Sequence, residues 1–181
     1  MNEFQIYFGL GKDHILDYAN GYDHILFVIV LCVLYTINQW KQVLILVTAF
    51  TLGHCLTLAL SVSGCIELPS AIVEFLIALS ILLAGLFNLF AKTGSGLGPF
   101  ALYAVTTAFG LLHGLGFSFL LRSMLGETDG FILPLVYFNL GIEAGQLLIV
   151  AAVSLISLFL TSIIRAPFRF LKFIVVCSIT L

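Results

Sequence analysis

Four histidines, His14, His24, His54 and His113, stand at or inside apolar segments, and each has polar or flexible company along the chain. Asp17 and Asp23 lie near the first two, Thr51 and Thr57 flank the third, and Gly110 and Gly114 bracket the fourth. Two carboxylates, Glu74 and Glu143, also fall inside apolar runs. Holding an ionisable group in hydrocarbon costs several kcal/mol. A chain that does so repeatedly is assembling a site. Imidazole with carboxylate in a dry helical bundle predicts a transition-metal site or a proton or ion path.

The elements that position these residues follow from composition. The chain is 61% hydrophobic and 9% charged, whereas a soluble domain carries about 25% charged residues. Mean hydropathy is +1.20. This predicts an integral membrane protein of one domain, residues 1–181, with the lipid bilayer as its main partner. The net charge of −2 gives no basis for a nucleic-acid partner. Cys32, Cys55, Cys65 and Cys177 have no metal-finger spacing and read as apolar fillers. Cys55, beside His54, is the one remote candidate for a ligand among them.

Turn-forming segments divide the chain into an all-α, polytopic transmembrane bundle of about six spans. The expected spans are 21–37, 41–63, 70–91, 100–123, 131–162 and 168–181. The last is short for a span. Residues 1–20 mix aromatic and acidic side chains and are expected to form a short helix on the membrane interface. On the N-terminal side only Lys12 and Arg122 are basic; Lys41, Lys92, Arg165, Arg169 and Lys172 fall on the other. The positive-inside rule then puts the N-terminus outside the cytoplasm, in a bacterial inner membrane. The outer loops are acidic and would concentrate cations.

Helix rise sets the depth of the polar residues. His54 lies roughly 20 Å beyond Lys41 and His113 roughly 21 Å beyond Pro99, which puts both in the outer half of the bilayer with His24 and Glu143. Thr48, Thr51, His54, Thr57 and Ser61 share one helical stripe, and Asn139, Glu143 and Gln146 share another. The expected metal ligands are His24, His54, His113, Asp23 and Glu143, with His14 towards the entrance. Asn139, Gln146, Asp17, Glu74 and Thr51 are expected around them. Gly110-x-x-x-Gly114 and Gly141-x-x-x-Gly145 would let neighbouring backbones approach closely.

The strings around these residues resemble the second branch of the HupE/UreJ family of membrane proteins. They include Gly21-Tyr22-Asp23-His24-Ile25-Leu26-Phe27, Thr51-Leu52-Gly53-His54, Phe109-Gly110-Leu111-Leu112-His113-Gly114 and Phe138-Asn139-Leu140-Gly141-Ile142-Glu143. The resemblance implies a permease for nickel, sometimes cobalt, of the kind that accompanies hydrogenase and urease. The better-characterised branch carries a His-x5-Asp-His motif, whereas here eight residues separate His14 from Asp23.

Two functions are expected from the residues. The first is a divalent transition-metal permease handling Ni, Co, Zn or Cu, with imidazoles binding the partly dehydrated ion. The second is a membrane-embedded zinc-type hydrolase in which Asp23 or Glu143 serves as base. A metal-bearing sensor or assembly factor is a third reading, and a homo-oligomer stays open.

Overall fold

The computed structural model describes residues 2–18, 21–33, 35, 39–90, 99–125 and 130–162. Among them every regular element is a helix: α1 (Glu3–Leu16), α2 (Tyr22–Val33), α3 (Trp40–Val62), α4 (Ser70–Phe90), α5 (Pro99–Leu125) and α6 (Ile132–Ser162). The expected span 168–181 lies outside the described residues, as do Lys92, Arg165, Arg169 and Lys172.

Local chemistry explains several of the boundaries. Asn2 Oδ1 accepts from the Gln5 backbone N–H at 2.9 Å, and Gln5 Oε1 accepts from Asn2 N–H at 3.1 Å, a reciprocal cap that starts α1. The end of α3 is a Schellman turn: Cys65 N–H donates to Leu60 O and Gly64 N–H to Ser61 O. Gly64 sits at φ 78°, a left-handed conformation that a side chain would resist. Pro99 opens α5, where its missing N–H leaves no bond unmade.

Pairs of contacts give the sense of each helix. Gly110 faces the Phe50 carbonyl and Gly114 that of His54, so α3 and α5 run the same way with backbones touching. Thr48 meets Glu143 while His54 meets Phe138, so α6 runs opposite to α3. The His24 and His113 rings lie 4.7 Å apart and those of Phe27 and Phe109 3.6 Å apart, so α2 runs opposite to α5. One buried cluster joins Ile15, Val28, Val47, Leu58, Phe138 and Ile142; a second gathers Phe27, Phe50 and Phe109.

The first helix departs from expectation. It does not lie alone on a surface but packs lengthwise along α6, and in the same sense. Phe4 packs on Tyr137, the Phe8 carbonyl faces Gly141, and Ile15 faces Gly145. Gly11 in turn faces the Phe138 carbonyl. Missing Cβ atoms on both helices allow this approach, and close backbone packing is what holds helices together in lipid. Successive helices α1 and α2 therefore share one sense, with a break between them. Gly21 N–H closes that break on Asp17 O at 2.9 Å.

Among the described residues two helices, Trp40–Val62 and Ile132–Thr161, are long and apolar enough to cross a membrane, with mean hydropathies of 2.2 and 2.1. The apolar stretches Tyr22–Cys32 of α2 and Ser70–Ala84 of α4 are shorter. The outside of the bundle is apolar too: Leu52, Leu56, Phe75, Leu83, Leu155 and Phe159 are all exposed. An apolar exterior on this scale is suited to lipid rather than water.

Candidate metal centre

The break between α1 and α2 brings His14 and His24 together, with ring centroids 4.6 Å apart. His54 of α3 lies 6.2 Å from the His14 ring and 6.5 Å from that of His24. One ligand atom each from His14, His24 and His54 falls within 4.8 Å of the others. Asp23, His24 and His113 form a second such group, sharing His24 with the first. Four helices thus deliver imidazoles to one place, and α2 adds a carboxylate. The donor set, nitrogen-rich with one hard oxygen, fits a divalent transition ion.

The hydrogen bonds show what these side chains lack. His113 Nδ1 lies 3.2 Å from the Phe109 carbonyl. A carbonyl only accepts, so Nδ1 carries the proton and Nε2 of the neutral ring presents a bare lone pair. Yet Nε2 is 3.5 Å from Asp23 Oδ2, another lone-pair carrier. A cation between or beside them resolves the conflict. Asp23 Oδ1 also lies 2.9 Å from His24 Nδ1 and accepts from the His24 backbone N–H at 2.9 Å. The ring contact lacks the alignment of a hydrogen bond, so His24 Nδ1 as well as its Nε2 stays unpartnered beside the carboxylate. His14 Nε2 and both nitrogens of His24 and of His54 are buried with no hydrogen-bond partner. Buried polar atoms are almost always satisfied, so this concentration of orphans marks a place where something binds.

Asp23→Asn keeps the shape and removes the charge that orients two imidazoles. Metal affinity is expected to fall about 10–100-fold, the usual effect of losing such an orienting group. Calorimetric titration of nickel into the purified variant checks this.

A cavity of about 770 Å³ reaches the site. Asp13, Asp17, Asp23 and Glu74 line it, together with His14, His24 and His113. The Asp13 side chain is 74% exposed, so acid extends from the surface to the imidazoles. These acids come from α1, α2, α4 and the break after α1.

Other predicted residues fall into place around this centre. His14 sits inside the cluster rather than at its entrance, its ring packed 4.0 Å from Phe117 and 5.9 Å from Phe138. The docking of α1 on α6 carries it there. Phe117 was not singled out from sequence; it lies four residues beyond His113, the spacing that puts both on one helix face. Asn139 is buried beside His54, with Nδ2 donating to Leu135 O at 2.8 Å and Oδ1 unpartnered. Glu143 belongs to neither of the two groups of candidate ligands. Thr48 Oγ1 donates to its Oε1 at 2.7 Å, and Thr51 Oγ1 lies in close contact with its Oε2. Thr51 and Gln146 are likewise in this second group, 3.0 Å from each other.

Among the described residues the elements are helices, the exterior is apolar, and buried histidine–carboxylate groups could hold a metal ion, which are the features of a membrane protein able to bind metal. Residues 1–180 match the family described as HupE / UreJ protein, and the chain belongs to that family. Membership implies a role associated with nickel or cobalt transport. Neither the curated proteins nor the solved structures contain a match to this chain.

Proposed function

We propose that this protein is a divalent transition-metal permease of the nickel/cobalt type, a bundle of about six spans in the bacterial inner membrane with its N-terminus outside. The observation that carries the reading is the set of orphaned ring nitrogens of His14, His24 and His54, buried from separate helices around one point. The metal is the cargo. A hydrated ion is drawn along Asp13, Asp17 and Glu74 into the cavity. It sheds water in exchange for imidazole nitrogens. Asp23 balances its charge while orienting His24 and His113. Soft-to-borderline imidazole donors favour Ni, Co, Cu or Zn over Mg or Ca.

The test pairs metal analysis with transport. Purified protein is assayed for bound metal, and proteoliposomes for uptake of nickel, cobalt, zinc and copper. The permease reading expects uptake of nickel or cobalt that disappears when His24 and His113 are replaced. Tightly held stoichiometric metal with no uptake would overturn it in favour of the membrane hydrolase, with Asp23 as base.

A further inference from the structure

The side chains of Thr48, Thr51, Glu143 and Gln146 form a cluster that the imidazole site does not use. It lies in the seam between α3 and α6. Gln146 is 1% exposed and Thr51 9%. All the converging atoms are oxygens: Thr48 Oγ1 and Thr51 Oγ1 on the two Glu143 carboxylate oxygens, and Gln146 Oε1 on Thr51.

Proton counting shows a shortage. The single Thr51 hydroxyl proton has two side-chain acceptors within reach, Gln146 Oε1 at 3.0 Å and Glu143 Oε2, besides Val47 O at 3.2 Å, which α3 already supplies with a backbone N–H. It can satisfy one. The Thr48 proton serves the other carboxylate oxygen. Lone pairs are left over in a half-dry seam, where each unmet acceptor is costly. A cation meets all of them at once.

The position along the helix matters as much. Thr51 and Thr48 stand one and two turns from His54 on its own stripe, towards Lys41, which is roughly 5 and 9 Å of rise. Beyond them on α6, Thr161 Oγ1 donates to Ser157 O at 2.7 Å, a hydroxyl satisfied within its own helix.

We propose that Thr48, Thr51, Glu143 and Gln146 form a second, oxygen-lined site for a divalent cation, the station an ion occupies after leaving the imidazoles. The transit role rests on the permease reading above; the binding site does not. An all-oxygen set with one carboxylate binds more weakly and less selectively than imidazoles. That suits onward release.

Mn(II) is the probe, because it accepts either donor type and its spin-echo spectrum reports nitrogen ligands. Full-length protein in detergent is expected to show two Mn(II) populations, one with imidazole nitrogen couplings and one without. Glu143→Gln removes the nitrogen-free population and keeps the other, which also certifies folding. Thr51→Val weakens the nitrogen-free signal and Thr51→Ser restores it. In proteoliposomes Glu143→Gln lowers nickel or cobalt uptake at least tenfold. A single, nitrogen-coordinated population overturns the proposal; it is the result expected if Glu143 simply holds a proton. So does a nitrogen-free signal that persists in Glu143→Gln, and so does loss of both signals in Glu143→Gln and Thr51→Val alike. Wild-type uptake retained by Glu143→Gln overturns the transit role alone. No uptake by the wild type fells the permease reading instead, and the second site then stands or falls on the nitrogen-free signal.

Discussion

His54→Leu is expected to leave the metal-free protein as stable as the wild type or more so, and to erase the stabilisation that metal brings. The two halves of this result have one cause. His54 is completely buried, and neither ring nitrogen has a hydrogen-bond partner. A buried polar group left unsatisfied costs about 1–3 kcal/mol, and leucine of similar bulk carries no such burden. With metal the balance reverses. A ligand at a hundred times its dissociation constant stabilises the folded state by about 2.7 kcal/mol. Without His54, the group formed by His14, His24 and His54 loses a donor, and metal at the same concentration adds little. Thermal unfolding in detergent, with and without nickel, checks both. A drop in metal-free stability together with an unchanged nickel response would mean that His54 is packing, not ligand.

The second large effect is expected at Gly114. A Cβ there would run into the His54 carbonyl oxygen and Thr57 Oγ1, with the His54 carbonyl carbon at 3.0 Å. Backbone does not yield as a side-chain tip does. Gly114→Ala therefore forces α3 and α5 apart at the level where one holds His54 and the other His113. Overpacking typically costs about 1–3 kcal/mol, and the displacement of both imidazoles is expected to lower metal affinity by more than tenfold. Gly116→Ala, two residues away, is the control. Its Cβ would meet only the ends of Ile77 and Val73, at 3.3 and 3.7 Å, and metal binding should be unchanged. Equal binding in the two variants would show that α3–α5 contact does not set the site.

Several of these features are legible without coordinates because they rest on spacing along a single helix. His54 with Thr51 and Thr48 on one face, the glycines of α5 and α6, and the shared depth of His54 and His113 all follow from a period of 3.6 and a rise of 1.5 Å. The close packing foreseen at Gly110, Gly114, Gly141 and Gly145 is present, with backbone of α3 or α1 against each. Apolar composition likewise reads directly as an all-helical chain, because helices satisfy their own backbone polar groups.

His14 and Glu143 mark where that reasoning stops. On spacing, His14 belonged to a surface helix and Glu143 to the histidine shell. In the fold, His14 enters the cluster and Glu143 joins the threonines. The reason is physical. A helical stripe fixes which side chains share a face, but not the rotation of one helix about its neighbour or the angle of the approach. Those are set by backbone-to-backbone contact, as when Gly11 of α1 meets Phe138 of α6 and carries His14 beneath Phe117. By itself the sequence determined that this is a membrane-type helical chain with imidazoles held at a common depth. Which imidazoles face one another, and which carboxylate faces them, is decided by contacts between residues from tens to more than a hundred positions apart, and only the tertiary structure contains those.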